Sequence, residues 1–352
     1  MINFGKQSNI KTLKVNTHKP YGVVICENAT EFLPTVIDGC QKVVIVSNEE
    51  VYPAYGKPIK KMLEEQGVKV YNFIYPSGEG GKGKFVIDKL LILFTELNIL
   101  KTDCVIALGG GTASAVTGSA CSLFKGGIRY VNIPTTLVGM VSDCIGGACM
   151  VNFLGRKNFI GSHYQPSAVF VDTEYIKSMS PQQIMDGMAE IIRMATGFDG
   201  RLFKKLEKGL DDEFTIEDCI YTCLKIRAKM VQKDEYFEKG ARLLSLGETF
   251  ANALESVNGF SQPYSKVMAN ALLKATDMSE ILGYANCLKG RVRALLENYG
   301  VYPCDSELAE KTYPYVVVDY KRTGNDVNLV LPTKIGKCKL IAIDKDKLKN
   351  LL

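Results

Sequence analysis

At 352 residues, with 46% hydrophobic and 23% charged side chains, the chain is long enough for two domains and has the balance of a globular protein, not a disordered one. Its net charge of +5 is too slight to argue for nucleic acid and suits a small anionic substrate. No segment is apolar over a membrane-spanning length, MINFGKQSNIK lacks a signal-peptide core, and the eleven cysteines follow no paired or zinc-ribbon spacing, so a cytoplasmic chain with reduced thiols and no membrane partner is expected.

Short alternating patches at 12–15 and 22–26 predict a small hairpin or edge structure. Residues 42–47 (KVVIVS) form an apolar run of strand length that ends beside Asn48. An acid at such a strand end often holds a ribose through its hydroxyls, and the amide of Asn48 weakens that role. A helix over 55–66 and a strand over 68–75 follow, then the polar glycine loop Pro76-Ser77-Gly78-Glu79-Gly80-Gly81-Lys82 and a helix over 85–98. Next comes the strand 104–108, apolar throughout as a strand buried on both faces must be, with Gly109, Gly110 and Gly111 after it and a small-residue helix beyond. A strand, a glycine turn and a bare helix N-terminus make an anion site, although a triple glycine by itself is equally a tight turn. The strand 130–133 leads into Pro134-Thr135-Thr136, whose hydroxyls fall where ligands of open α/β sheets bind. Strand and helix alternating at this spacing predict a doubly wound parallel sheet.

After the strand 168–171 helical patterns take over, at 181–194, 200–209, 216–232, 242–257, 265–283 and 287–299. Ser180-Pro181 starts the first of them. The expected fold is therefore α/β, with a Rossmann-like domain over 1–176 and a mainly helical domain over 177–352. On the first helix Asp186, Glu190, Arg193 and Gly197 share a face, and on the fourth Glu248, Asn252 and Glu255 do. For either helix alone a solvated face is the plainer reading.

In order and spacing, Pro76-Ser77-Gly78-Glu79-x-x-Lys82, Gly109-Gly110-Gly111, Pro134-Thr135-Thr136-Leu137, Gly146-Gly147, Asn152, Lys157-Asn158, Tyr164-Gln165-Pro166, Gly187-x-Ala189-Glu190-x-x-Arg193 and Asp319-x-Lys321 resemble the 3-dehydroquinate synthases and their sugar-phosphate cyclase relatives. The resemblance runs from about Val43 to the C-terminus. It implies an NAD-binding domain, a helical domain, a cleft between them and a homodimer. It also implies a chemistry in which NAD oxidises a ring alcohol of a heptulosonate phosphate, phosphate leaves, the hydride returns and the ring closes by an aldol step. In that family a metal, usually zinc, held by one glutamate and two histidines acidifies the alcohol and polarises the ketone.

Carried over residue by residue, the resemblance places NAD on Asn48, Glu79, Lys82, Gly109, Gly110, Gly111, Thr135, Thr136, Asp143 and Lys157. The catalytic set becomes Glu190, Glu248, Lys157, Arg193, Arg227, Asn252 and Lys321. Substrate contacts become Asn158, Arg193, Arg227, Arg242, Asn252 and Lys321. Departures are as plain as matches. Glu248 stands at one histidine ligand, Tyr264 near the other, and Asn252 at a substrate-contacting histidine. The only histidines, His18 and His163, align with neither, so a Glu-His-His zinc site cannot be assembled here. Ala115, Ser142, Ala148 and Gly126 replace charged residues of the family pattern, and Arg193 and Arg227 stand for lysines.

Three arrangements of Glu190 and Glu248 stay open. They are a hard-cation site with Tyr264 suited to magnesium or manganese, a metal-free pair with separated pKa values, and a structural bond from Glu248 to Arg193 or Arg227. The expectation is a divergent NAD-dependent cyclase or lyase acting on a phosphorylated heptulosonate-like or polyol substrate. An inactive paralogue serving as a partner subunit, and an NAD-dependent polyol dehydrogenase, are the alternatives.

Overall fold

The computed structural model describes residues 10–303, 309–319 and 321–352. Residues 1–9 of the MINFGKQSNIK stretch, and Cys304, lie outside the described residues. The chain forms two compact units, interleaved in sequence. One takes the residues up to Phe153, Asn158–Met179 and Arg227–Glu235; the other takes Leu154–Lys157, Ser180–Ile226 and Tyr236–Leu352. The main change from one unit to the other falls between Met179 and Ser180.

The first unit is built from β1 (Lys11–Val15), β2 (Tyr21–Cys26), α1 (Pro34–Ile37), β3 (Lys42–Asn48), α2 (Lys57–Glu64), β4 (Lys69–Tyr75), α3 (Lys84–Glu96), β5 (Cys104–Gly109), α4 (Gly111–Leu123) and β6 (Arg129–Pro134). The ribbon of β7 (Ala148–Phe153) and β8 (Arg156–His163), and then β9 (Ala168–Asp172), follow. Seven strands make one sheet in the order β1-β2-β9-β6-β5-β3-β4, parallel except for the β1–β2 hairpin. Every residue of β5 is buried, as its unbroken apolar run requires. Val44, Val105, Leu90, Phe94, Val116 and Ala120 join strand and helix layers in one core, where each large apolar side chain contributes about 1.5–3 kcal/mol. Buried Asp103 ties the near ends of β3 and β5 together, accepting from the Lys42 amide at 2.9 Å and the Leu100 amide at 2.8 Å. Because β4 lies on one side of β3 and β5 on the other, the strand order switches direction between β3 and β5, where open α/β sheets bind ligands.

The second unit holds α5 (Pro181–Phe198), α6 (Gly200–Lys208), most of α7 (Ile216–Val231), α8 (Glu248–Val257), α9 (Tyr264–Ile281), α10 (Leu288–Asn298), α11 (Ala309–Val316), the hairpin of β10 (Asp326–Lys334) and β11 (Lys337–Asp344), and α12 (Lys345–Lys349). Ser180 and Gln183 cap α5 reciprocally, with Pro181 in its first turn. α9 packs against α5, α8 and α10. The helix expected over 242–257 is broken. A 3₁₀ turn covers Gly240–Ser245, and Gly247 at φ 79° resets the chain before α8. No helix among the described residues is long and apolar enough to cross a membrane.

Candidate active site

At the carboxyl edge of the first unit's sheet, β5 ends in the glycine turn and α4 starts at Gly111 without a side-chain cap. The Thr135 amide donates to the Gly109 carbonyl at 3.0 Å, fixing the turn to the end of β6. A Cβ at Gly110 would stand 3.1 Å from Thr136 Cγ2, and one at Gly111 would stand 3.0 Å from Asp143 Cγ. A side chain at either position would have to displace Thr136 or Asp143, and glycine there leaves the first-turn amides approachable by an anion. Around this turn the hydroxyls of Ser47, Ser77 and Thr135 are buried with no hydrogen-bond partner. They follow or end β3, β4 and β6, so three strands of this sheet each carry an unmet polar group at their carboxyl ends, of the kind that a ligand or water ordinarily answers. Thr136 Oγ1 accepts from the Gly139 amide at 3.1 Å. Asn48 commits its oxygen to the Glu50 and Val51 amides at 3.2 and 2.8 Å, leaving its NH2 group as the part that a ribose would meet.

The loop after β4 is tied to the β7–β8 ribbon. Lys82 Nζ donates to Asn158 Oδ1 at 2.7 Å, Asn152 Nδ2 donates to Glu79 Oε2 at 2.8 Å, and the Asn158 amide donates to Asn152 Oδ1 at 3.1 Å. Glu79, Lys82 and Asn158 thus come together in one polar cluster, with Asn158 at φ 51°. Asn152, a motif residue without an assigned role in the sequence reading, is its hub. Arg227 belongs to this unit as well. It is 6% exposed, donates from Nη2 to the Ile145 carbonyl at 3.1 Å, and keeps a buried Nε without a partner beside the Gly146-Gly147 turn.

In the second unit α5 presents Asp186, Glu190 and Arg193 on one stripe. Asp186 accepts from the Ser265 amide at 2.8 Å, setting the start of α9 and with it Tyr264, whose hydroxyl donates to Glu190 Oε2 at 2.9 Å. Arg193 forks onto Glu190. Its Nε meets Oε2 at 2.8 Å and its Nη2 meets Oε1. Nη1 donates to the carbonyls of Leu244 and Leu246, the latter at 3.2 Å. Glu248 Oε1 lies 3.9 Å from Nη2, and Glu248 is far more open than the buried pair. Burial works against the Arg193 charge, but the adjoining Glu190 outweighs it and holds the guanidinium above its ordinary pKa.

Other candidates are engaged too. Lys157 Nζ sits 2.5 Å from the carboxylate of Glu255, and Lys321 Nζ sits 2.9 Å from Asp319 Oδ1, all four side chains being buried. Arg242 Nε donates to its neighbour Phe237 O at 2.9 Å. Asn252 lies half-buried one turn along α8 from Glu248.

The donor set does not fit a divalent cation. Glu190, Glu248 and Tyr264 do converge, but on a guanidinium that already takes both Glu190 oxygens. Among the described residues no three His, Cys, Asp or Glu side chains are placed to hold a metal. The glycine turn with its unmet hydroxyls does fit a phosphate-bearing nucleotide.

A family model described as 3-dehydroquinate synthase N-terminal matches residues 72–186, and one described as 3-dehydroquinate synthase C-terminal matches 187–322. Among solved structures, 2-deoxy-scyllo-inosose synthase complexed with carbaglucose-6-phosphate, NAD+ and Co2+ is similar at a TM-score of 0.85 and 19% identity, covering 97% of this chain and 99% of that one. The 2-epi-5-epi-valiolone synthase of Streptomyces hygroscopicus, with NAD+ and Zn2+ bound, follows at 0.83 and 20%, covering 94% and 95%. An iron-containing alcohol dehydrogenase is similar at 0.64 and 16%, covering 98% of each chain. At these identities the structural likeness is one of fold.

Proposed function

The chain belongs to the 3-dehydroquinate synthase family, and from that premise we propose an NAD-dependent enzyme acting on a phosphorylated heptulosonate-like or polyol substrate without the family's zinc site. The observation that carries this reading is the set of unpartnered hydroxyls on Ser47, Ser77 and Thr135 around an uncapped glycine turn at the strand-order switch. NAD, when bound there, supplies a reversible hydride acceptor for a substrate alcohol. The amides of Gly110 and Gly111 would take its pyrophosphate, and the three hydroxyls and the Asn48 amide its sugar oxygens. Asn158 and Asn152 keep Lys82 and Glu79 in place without neutralising either fully. The buried Nε of Arg227 offers a donor to a phosphate or carboxylate of the substrate.

One observation favours a second reading, a non-catalytic partner subunit. Lys157, Arg193 and Lys321 each close on a carboxylate, as cations released from substrate binding would. The discriminating experiment incubates EDTA-treated protein with NAD and a panel of phosphorylated heptulosonates and polyols, following inorganic phosphate and NADH together. Phosphate release at constant NADH is the result expected of a cyclase or lyase. NADH accumulation without phosphate would make the protein a polyol dehydrogenase, and neither product would leave the partner subunit.

A further inference from the structure

A guanidinium has five N–H donors in a fixed fork and cannot be deprotonated in a protein. On Arg193 one donor of Nε and one of Nη2 go to Glu190, and Nη1 serves the carbonyls of Leu244 and Leu246. One hydrogen on Nη2 remains, and Nη2 is also the atom 3.9 Å from Glu248 Oε1, too far for a hydrogen bond. The arginine comes from the same helix turn as Glu190, is almost fully buried, and is oriented by carbonyls some fifty residues further on. It is therefore held from two sides, and it brings a positive charge to the point where the carboxylates of Glu190 and Glu248 and the hydroxyl of Tyr264 meet.

We infer that Arg193 is the resident cation of this site. Its guanidinium takes the place among Glu190, Glu248 and Tyr264 that a divalent ion would need, so the protein binds no divalent ion there. The inference rests on the proposed reading of the site as a ligand site, but exclusion of metal is a property of the protein alone. An ion entering between the two glutamates would face a fixed positive charge and would have to break two charge-assisted bonds to Glu190 before making one of its own.

The test uses Co2+ alone, without NAD, titrated into full-length protein and read by visible absorption and by the shift in Tm. Wild type is expected to show no saturable cobalt band and no Tm shift. Arg193→Ala, which leaves the two carboxylates without their cation, is expected to bind Co2+ at least about tenfold more tightly, and Arg193→Ala combined with Glu190→Gln is expected to lose that binding. A saturable band in wild type that Glu190→Gln abolishes would overturn the inference, as would a folded Arg193→Ala that binds no better than wild type. If Arg193→Ala does not fold, the wild-type and Glu190→Gln titrations decide between the outcomes by themselves. NAD is titrated in a separate experiment: failure there removes the proposed enzyme and leaves the cobalt result standing, whereas NAD binding together with cobalt at Glu190 removes only this inference.

Discussion

Arg193 Nε lies 2.8 Å from Glu190 Oε2 one helical turn away, with both side chains 1% exposed. A pair so deeply buried is held in place by mutual need, because either charge left alone has neither water nor counter-ion. Arg193→Leu is therefore expected to destabilise the protein by about 3–5 kcal/mol, whereas Arg193→Met combined with Glu190→Leu should recover most of that loss. Urea unfolding of the three proteins checks it. A single variant as stable as wild type would mean that the pair does not carry this charge balance.

Tyr264→Phe removes only the hydroxyl that donates to Glu190 Oε2 at 2.9 Å. A hydrogen bond to a charged group contributes about 1.5–3 kcal/mol. A loss within that range, read by the same unfolding, is expected, with α9 unchanged by circular dichroism. No loss would place the Tyr264 hydroxyl outside the network.

The glycine turn carries a steric prediction. Gly111→Ala puts a methyl against the Asp143 carboxylate, and Gly110→Val puts one against Thr136. Each should weaken NAD binding by about tenfold or more with the far-ultraviolet spectrum unchanged. Binding at wild-type strength in both variants would mean that the nucleotide does not use this turn.

His163, which ends β8, has its pKa lowered because burial disfavours the charged ring, with Asp234 opposing that in part. As pH falls through the ordinary histidine value of about 6.5, the unfolded chain takes up a proton that the folded protein resists, so stability is lost on acidification. The loss levels off below the folded-state pKa. His163→Gln should therefore gain on wild type as pH drops from neutral towards about 5, read as the difference in Tm across that range. A constant difference would contradict the assignment.

How far the sequence carried depends on the signal each element sends. β5 and the glycine turn are legible because a strand buried on both faces shows an unbroken apolar run, whereas β6 carries Asn132 and β3 ends in Ser47-Asn48, and both are read from the apolar residues around these. The β10–β11 hairpin was not foreseen. Asp326, Asn328 and Lys334 interrupt the apolar run of β10. The wheel put Glu190 and Arg193 on one face, yet the direction of the arginine is set by the Leu244 and Leu246 carbonyls, which no local pattern connects to α5. Ser47 and Ser77 carry no assigned role in the sequence because a serine at a strand end is ordinary until its hydroxyl proves to be buried without a partner. Asn152 and Glu255 acquire their roles only through Glu79 and Lys157.

We propose that the first unit holds NAD and that the second holds no zinc. Calorimetric titration of NAD into protein stripped with EDTA tests it most directly. Saturable binding with a Kd of about micromolar order, unchanged when zinc, magnesium or manganese is added back, is the expected result. No heat of binding under any of these conditions, or binding that appears only with zinc, would contradict it.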